Sequence, residues 1–302
     1  MTRSPRTFLT IALTALVAVT LSGCLVKKEA PKPLLKRKSD NLLVYQRGDW
    51  IQYNVLASVL GSGTDEVRTG TLKISWGDYS TLQSPDGREY DVIEKLITVN
   101  MDNGGTSAPI TTRHYVWQDP DGTEKLIAMG HPNSGQGQYY WLNTTGGRNG
   151  TVNNVPGGQE AVTIFNSPLS VGQNYTVEYF LMDDCVKGQA PGCQSDVGQT
   201  TRRIEVVGDS TPIYTNLGNY ANPFQINFSG SVSPTGDNQS LPLLFSIFDI
   251  CSDGFSTHMG SMVVVPEIGI VQLSNTCIAL DGFGDSIRYD LTLDTTSSSI
   301  IP

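Results

Sequence analysis

Thr71-Leu72-Lys73-Ile74-Ser75-Trp76 alternates polar and apolar side chains with a period of two residues. Successive side chains of a β-strand point to opposite faces, so this alternation predicts a strand with one face in a core and one in water. The same period returns at Phe224, Ile226 and Phe228 and at Ile287, Tyr289, Leu291 and Leu293. After residue 40 no window of ten or more residues shows a helical stripe. The pattern therefore predicts an all-β protein with little helix.

Turn residues lie between such runs. Ser84-Pro85-Asp86-Gly87 and Asp119-Pro120-Asp121-Gly122 are each flanked by β-prone residues, which predicts two hairpin tips. The polar stretch from Gly130 to Gly158 predicts a long loop with one short strand. Because the apolar face of each strand must be covered, we predict a single large curved antiparallel sheet, a half-barrel or a sandwich. No linker interrupts residues 41–294, which predicts one β-rich domain.

The amino terminus has the features of an export signal. Arg3 and Arg6 precede an apolar run over residues 8–20, which is shorter than the roughly 20 residues that span a bilayer. Leu21-Ser22-Gly23-Cys24 follows this run and resembles the bacterial lipobox. The resemblance implies that residues 1–23 are a lipoprotein signal peptide and that the Cys24 thiol receives lipid, palmitate included.

The lipobox resemblance also implies a location. Acyl chains on one cysteine would anchor the protein in a membrane without a spanning segment. Leu25 stands where an aspartate would retain such proteins in the inner membrane, so we expect the outer membrane, facing the periplasm or the cell surface. Residues 24–40 are basic and contain Pro31 and Pro33, which predicts a lipidated flexible tether. The Ser- and Thr-rich residues 295–302 predict a disordered tail.

The charge of the body restricts its partners. Of the 20 Lys and Arg, two lie in the leader and six in the tether, which leaves 12 against 28 Asp and Glu from Asp40 onward. The body therefore carries a net charge of −16. Nucleic acid binding depends on Lys and Arg that neutralise phosphates, so the balance argues against a nucleic acid partner.

Four cysteines remain besides Cys24: Cys185, Cys193, Cys251 and Cys277. An even number in an exported chain predicts two disulfides, and of the three possible pairings we favour Cys185 with Cys193 and Cys251 with Cys277. A zinc site is disfavoured because no Cys-x-x-Cys pair occurs and the histidines, His114, His131 and His258, are scattered. We therefore expect no metal and no cofactor.

Three short motifs carry a family likeness. Gly48-Asp49-Trp50-Ile51-Gln52-Tyr53 opens the domain, Leu169–Gln173 lies midway and Val265–Val271 lies near its end. With them the chain resembles bacterial envelope lipoproteins, TapB-like among them, that have a half-open antiparallel β fold like that of LolA and LppX. The resemblance implies a curved sheet whose concave side holds an acyl chain or a partner element, no catalytic residues, and core positions for Trp50 and Tyr53.

Other motifs favour structural interpretations. Asp119, Asp121 and Glu124 suggest a calcium loop, but Gly122 stands at the fourth position where an EF-hand needs its glycine at the sixth, so a hairpin tip is favoured. Gly254-Phe255-Ser256-Thr257-His258 lacks the Gly-x-Ser-x-Gly pattern of a hydrolase elbow. Tyr139-Tyr140-Trp141 suits sugar stacking if exposed, although a strand packed into the core is favoured.

These observations lead to a functional expectation. We expect a non-enzymatic outer-membrane lipoprotein that binds an envelope partner protein or an apolar ligand. One alternative is a surface protein that binds or acts on carbohydrate, suggested by the aromatic cluster and the acidic loops. Another alternative is a structural subunit of a secretion or appendage machine.

Overall fold

The structure is a computed structural model that describes residues 33–61, 65–83, 89–102, 109–130, 139–143, 162–182, 196–208, 211–234, 256–280 and 286–300. One compact unit begins at Leu34. Within the described ranges, no helix has the length and apolarity needed to cross a membrane.

Sixteen strands form the described part of the chain. They are β1 (Leu34–Leu35), β2 (Trp50–Leu60), β3 (Glu66–Gln83), β4 (Glu89–Met101), β5 (Ile110–Gln118), β6 (Glu124–Gly130), β7 (Tyr139–Asn143), β8 (Val162–Phe165), β9 (Asn174–Met182), β10 (Asp196–Gly208), β11 (Ile213–Tyr214), β12 (Asn219–Tyr220), β13 (Phe224–Pro234), β14 (Ser256–Val265), β15 (Gly269–Leu280) and β16 (Ser286–Ser298).

Thirteen of these strands form one antiparallel sheet. Its order is β5-β4-β3-β2-β16-β15-β14-β13-β10-β9-β7-β6-β8, and β5 also pairs with β6, so the sheet curls back towards its own first strand. The all-β class and the single large antiparallel sheet are thus confirmed. A second sheet has the order β1-β12-β11, with β1 parallel to β12.

The predicted alternation decides which residues enter the core. Leu72, Ile74 and Trp76 are at most 3% exposed, whereas Lys73 between them is exposed. Phe224, Ile226 and Phe228 are buried in the same way, as are Leu291 and Leu293; the side chains of Ile287 and Tyr289 lie outside the described residues. Inward side chains from β2 through β10 and β13 through β16 join in one hydrophobic cluster, so the curled sheet encloses its own core.

The predicted turns also occur. Asp119–Thr123 connects β5 to β6, and the Gly122 N–H donates to the Asp119 carbonyl oxygen at 2.9 Å. Gly122 has a φ of +88°, a conformation that favours glycine. Gln83 of β3 pairs with Glu89 of β4, so these strands form a hairpin whose tip lies outside the described residues. Between Gly130 and Gly158, β7 is the short strand that was predicted.

The carboxyl-terminal boundary corrects the sequence prediction. Residues 295–302 were expected to be disordered, yet β16 continues to Ser298. Thr295 is 1% exposed and donates its hydroxyl to the Val271 carbonyl, and the Ser298 hydroxyl donates to Trp50 O at 3.1 Å. Serine and threonine hydroxyls bonded to backbone oxygens are compatible with a buried strand end, so polar composition was a poor guide here.

The predicted tether is too long at its carboxyl end. Leu34 and Leu35 form β1 and pair with Asn219 and Tyr220. Arg37 donates its backbone N–H to Asn222 Oδ1 at 3.0 Å. Residues 34–40 therefore belong to the folded domain, because partners nearly 200 residues away satisfy their polar groups.

Trp50 and Tyr53 do not share a face. Tyr53 is 1% exposed and donates its hydroxyl to Ile270 O at 2.8 Å, which confirms a core position. Trp50 is half-buried, with Lys73 Nζ at 4.9 Å from its ring centroid. Residues three apart on a strand point to opposite faces, so the expected core position of Trp50 is wrong.

Candidate functional site

Residues 34–49, which we name the strap, cross one end of the curled sheet. The first half is held by polar contacts with distant loops: Arg37 donates to Asn222 O at 2.7 Å and lies 3.9 Å above the ring of Phe224. The backbone N–H groups of Lys38 and Ser39 both donate to the Glu267 carboxylate. These contacts fix the basic segment against the sheet end.

The second half of the strap closes over the core. The Leu43 N–H donates to Pro266 O at 2.8 Å, and the ring of Tyr45 stacks on Trp76 at 3.6 Å between centroids. Two glycines make room for it: a Cβ at Gly122 would lie 2.0 Å from Leu42 O, and one at Gly269 would lie 2.2 Å from the Tyr45 hydroxyl. The strap thus fits the sheet end by close backbone approach.

Under the strap lies a cavity of about 60 Å³. Its lining is mostly apolar and aromatic, and Lys95 of β4, His114 of β5 and Glu124 of β6 add a basic, an imidazole and an acidic side chain from three neighbouring strands. Lys95 Nζ lies 2.6 Å from Glu124 Oε1, and both side chains are at most 10% exposed. The cavity therefore contains a buried ion pair.

Burial of an ion pair is stabilising only when the remaining polar groups are also satisfied. Lys95 Nζ lies 5.8 Å from the Trp76 ring centroid, which adds a cation–π contact. Trp76 is 3% exposed, and its indole N–H has no acceptor among the described residues. A volume of this size accommodates a few water molecules. The arrangement suits ordered water or a very small polar solute, and it is too small for an acyl chain.

Tyrosines around the cavity are held in the neutral form. Burial raises the pKa of Tyr53, and burial together with the nearby Tyr53 and Glu124 raises the pKa of Tyr45. Elsewhere in the domain, burial also raises the pKa of Tyr175 to about 12. Neutral phenols in an apolar cavity act as hydrogen-bond donors, so these side chains contribute packing and orientation.

An open cleft of about 370 Å³ lies beside the strap, where β3, β4 and β5 extend beyond the sheet end. Register places Tyr79 opposite Ile93, and Ile93 opposite Val116, on the face that lines this cleft. Tyr79 is 60% exposed and donates its hydroxyl to Gln46 Oε1 at 3.1 Å. The rim is polar: the Thr81 hydroxyl donates to Asp91 Oδ1 at 2.8 Å, and Gln118 Nε2 has no acceptor among the described residues. The cleft offers an aromatic wall, an apolar floor and polar side chains at its rim.

A second polar row crosses the inner face nearer the other end. Arg202 lies opposite Gly230, Gly230 opposite His258, and His258 opposite Cys277. A Cβ at Gly230 would lie 2.7 Å from His258 Nε2, so the imidazole occupies the space that the glycine leaves. All three side chains of the row are at most 2% exposed. The row is part of the packed interior.

Most of the predicted site residues lie outside the described part: Cys24, Cys185, Cys193 and Cys251. Cys277 is described and is 1% exposed on β15. The lipidation of Cys24 and the two disulfides stay predictions. His131 also lies outside the described residues.

The suggested calcium loop does not gather its carboxylates. Asp119 pairs with Lys125 at 2.7 Å, Asp121 accepts the Thr123 N–H at 2.9 Å, and Glu124 points into the cavity. The Thr123 hydrogen bond lowers the pKa of Asp121. In the described ranges no three His, Cys, Asp or Glu side chains are grouped as metal ligands would be.

The other two motifs are strand residues. Ser256 and His258 lie along β14, with no strand-to-helix turn between them. Trp141 is 3% exposed and packs in a second, smaller cluster, which we name the outer cluster: Leu82, Val92, Ile127, Ala128 and Trp141. A buried Trp141 is unavailable for sugar stacking; the side chains of Tyr139 and Tyr140 lie outside the described residues.

Sequence reasoning missed the ion pair and the strap. One signal for Lys95 was present, because Ile93, Lys95 and Ile97 alternate on one face of a strand whose apolar members are buried. Arg202 shows the same signal between Thr200 and Ile204. The partner of each such cation is not readable from one strand, since Glu124 lies two strands away.

Comparison with protein-family models, curated proteins and solved structures finds no match to this chain. The likeness to TapB-like envelope lipoproteins stays a prediction from the short motifs.

Proposed function

We propose that this chain is a non-enzymatic lipoprotein of the bacterial outer membrane, anchored through Cys24, whose β domain binds a partner protein of the envelope. The lipobox-like sequence supports the anchor. One structural observation favours a protein partner over an apolar ligand. The concave face of the sheet is filled by its own side chains, and its strap cavity measures about 60 Å³, against roughly 300 Å³ or more for typical ligand pockets. The cleft beside the strap is larger, about 370 Å³, but it is open to solvent and has a polar rim, which suits a polar partner better than an acyl chain.

The family likeness implies that a partner element covers the concave side of the sheet, and in this chain a segment of its own, the strap, has that position. The strap occupies the end of the curled sheet that an added element would otherwise cover, with Tyr45 on Trp76 and Leu43 bonded to Pro266. A partner would therefore contact the outer surface. Exposed apolar side chains are present there: Leu56, Val67 and Met259 are 48%, 67% and 58% exposed.

Three measurements test the proposal. A palmitate analogue supplied to producing cells should label the wild-type chain and leave Cys24→Ala unlabelled. Crosslinking of intact cells followed by mass spectrometry should recover one reproducible envelope partner. Recovery of the chain alone would contradict partner binding, and labelling of Cys24→Ala would contradict the anchor. Native mass spectrometry of the delipidated chain with lipid extract should show no retained acyl ligand.

A second candidate function is carbohydrate binding in the cleft beside the strap. The observation that favours it is an exposed Tyr79 ring held by Gln46, in a cleft that the Asp91 and Gln118 side chains also line. Aromatic rings pack on the C–H face of sugars while amides and carboxylates bind hydroxyls. A glycan array should then give signals that Tyr79→Ala removes. An array without signals would reject this candidate.

A further inference from the structure

Leu34 and Tyr214 form a small exposed surface where the chain enters the folded domain. Leu34 pairs with Asn219 of β12, and Asn219 pairs with Tyr214 of β11. Paired residues of neighbouring strands share a face, so the two side chains lie on the same side of the three-stranded sheet. Leu34 is 48% exposed and Tyr214 is 69% exposed.

The opposite face of this small sheet lies towards the main core. Tyr220 is 5% exposed and packs, with the partly buried Ile213, against the main cluster. Leu34 and Tyr214 cannot turn inward without breaking that packing. Their exposure is therefore built into the fold.

Two lysines follow directly after β1 in the chain. Lys36 and Lys38 are both exposed, and neither ammonium group has an ion-pair partner among the described residues. Arg37 between them is turned the other way and pairs with Asp40 at 2.8 Å. We define the anchor patch as Leu34, Lys36, Lys38 and Tyr214.

The position of the anchor patch in the chain points to its occupant. Nine residues lie between Cys24 and Leu34, so ten steps of the chain, at most about 36 Å when fully extended, join the two. Those residues include Lys27, Lys28 and Lys32. A lipid on Cys24 therefore keeps the anchor patch close to the bilayer surface, where its lysines face anionic head groups.

We propose that the anchor patch is a second membrane contact, which docks the domain on an anionic bilayer with the strap end towards the lipid. Tyrosine suits the boundary of head groups and acyl chains, where its ring is in an apolar layer and its hydroxyl in a wet one. Lysine stems extend along apolar surface and place their ammonium groups among phosphates. This inference rests on the proposed lipid anchor, since one lipidated residue alone leaves the orientation of the domain free.

The test uses the full mature chain carrying C24S, so that binding reports the anchor patch without the lipid. Vesicles of phosphatidylethanolamine with phosphatidylglycerol should bind it, and vesicles of phosphatidylcholine should bind it more weakly. Tyr214→Ser should lower the partition coefficient about tenfold, which corresponds to roughly 1.4 kcal/mol. Each of Lys36→Glu and Lys38→Glu should lower it at least about fivefold, and only on the anionic vesicles.

A matched control comes from an exposed apolar residue elsewhere on the sheet. Ile278→Ser removes a side chain of β15 that is 41% exposed, and it should not change vesicle binding. Circular dichroism should show that all variants are folded. Equal losses for Ile278→Ser and Tyr214→Ser, or no binding of the parent chain to anionic vesicles, would overturn the proposal. Loss of crosslinks to a protein with vesicle binding intact would assign the patch to that partner instead.

Failure of this proposal is distinguishable from failure of the lipid anchor. Lipidation of Cys24 is read separately, from the intact mass of the chain purified out of membranes. If Cys24 is lipidated but the C24S chain does not bind vesicles, the lipid anchor stands and the anchor patch is rejected. An unmodified Cys24 would reject the anchor whatever the vesicles show.

Discussion

Lys95 and Glu124 lie at inward positions of a sheet that otherwise presents apolar side chains to its core. Removing either charge from water costs several kcal/mol, and the close contact at 2.6 Å offsets this cost only while both partners are present. The pair is therefore best understood as a constraint that fixes β4 against β6. It contributes to the choice of register more than to net stability.

Replacement of one partner should expose this balance. Glu124→Gln leaves the Lys95 ammonium buried without its counter-ion and should lower the free energy of unfolding by about 3–5 kcal/mol in urea titrations. The double variant Lys95→Met/Glu124→Leu should recover most of that loss. Asp78→Asn is the control. The Asp78 and Arg47 side chains of this ion pair are 72% and 70% exposed, so its loss should lower the free energy of unfolding by at most about 1 kcal/mol. A small effect of Glu124→Gln would contradict this account.

The buried tyrosines predict an alkaline limit to stability. Burial raises the pKa of Tyr53 above its ordinary value near 10, so the native state keeps a proton that the unfolded state loses. Stability is then complete below about pH 10 and falls as pH rises, by roughly 1.4 kcal/mol per pH unit for each such group. Urea titrations between about pH 8 and 12 should show this decline. Tyr53→Phe removes one titrating group and should therefore reduce the slope by up to roughly 1.4 kcal/mol per pH unit. An unchanged slope would mean that Tyr53 does not carry the effect.

At the residue scale the sequence predicted apolar burial well and polar burial poorly. Leu72, Ile74 and Trp76 follow from period-two alternation, which depends only on local geometry. Thr295 and Arg202 are equally buried, yet their burial depends on partners in other strands. A single sequence contains no record of those partners.

The strap is the element that the sequence described least well. Its basic composition and nearby prolines are typical of a solvated tether, and only Asn222, Glu267 and Pro266 reveal otherwise. Strand identity was easier, because alternation and turn residues specify β5, β6 and their connection within a few residues. Elements that depend on residues near in sequence were predicted, and elements that depend on contacts with distant residues were not.

The fit of the strap can be measured with two glycines of equal backbone conformation. Gly122 and Gly172 both have a φ of +88°, so Gly→Ala introduces the same left-handed strain of about 1–2 kcal/mol at each. A Cβ at Gly122 would also lie 2.0 Å from Leu42 O, whereas nothing lies within 4 Å at Gly172. Thermal or urea unfolding should therefore show a larger loss for Gly122→Ala, by about 1–3 kcal/mol. Equal losses would mean that the strap does not press against this turn.

For the whole molecule, the pairing of β2 with β16 is the main constraint. Leu293 of the last strand lies opposite Val55 of the first long one, so the sheet is complete only when nearly the entire chain has been brought together. Such non-local pairing costs loop entropy before it gains contacts, which predicts slow folding. It also joins the domain into one cooperative structure, with the strap across one end.

Cooperativity of this kind predicts that the main core and the outer cluster unfold together. Trp76 reports on the main core and Trp141 on the outer cluster. We place both variants in a Trp50→Phe/Trp117→Phe background, so that Trp141→Phe retains only Trp76 and Trp76→Phe retains only Trp141. In urea, the fluorescence of each variant should coincide with its own far-ultraviolet circular dichroism, because β6 contributes residues to both clusters. Midpoints that differ between fluorescence and circular dichroism in the Trp76→Phe variant alone would show that the outer cluster opens by itself. In that case β6 and β7 would unfold before the other strands. The remaining sheet would stay folded without them, joined through the β2–β16 pairing.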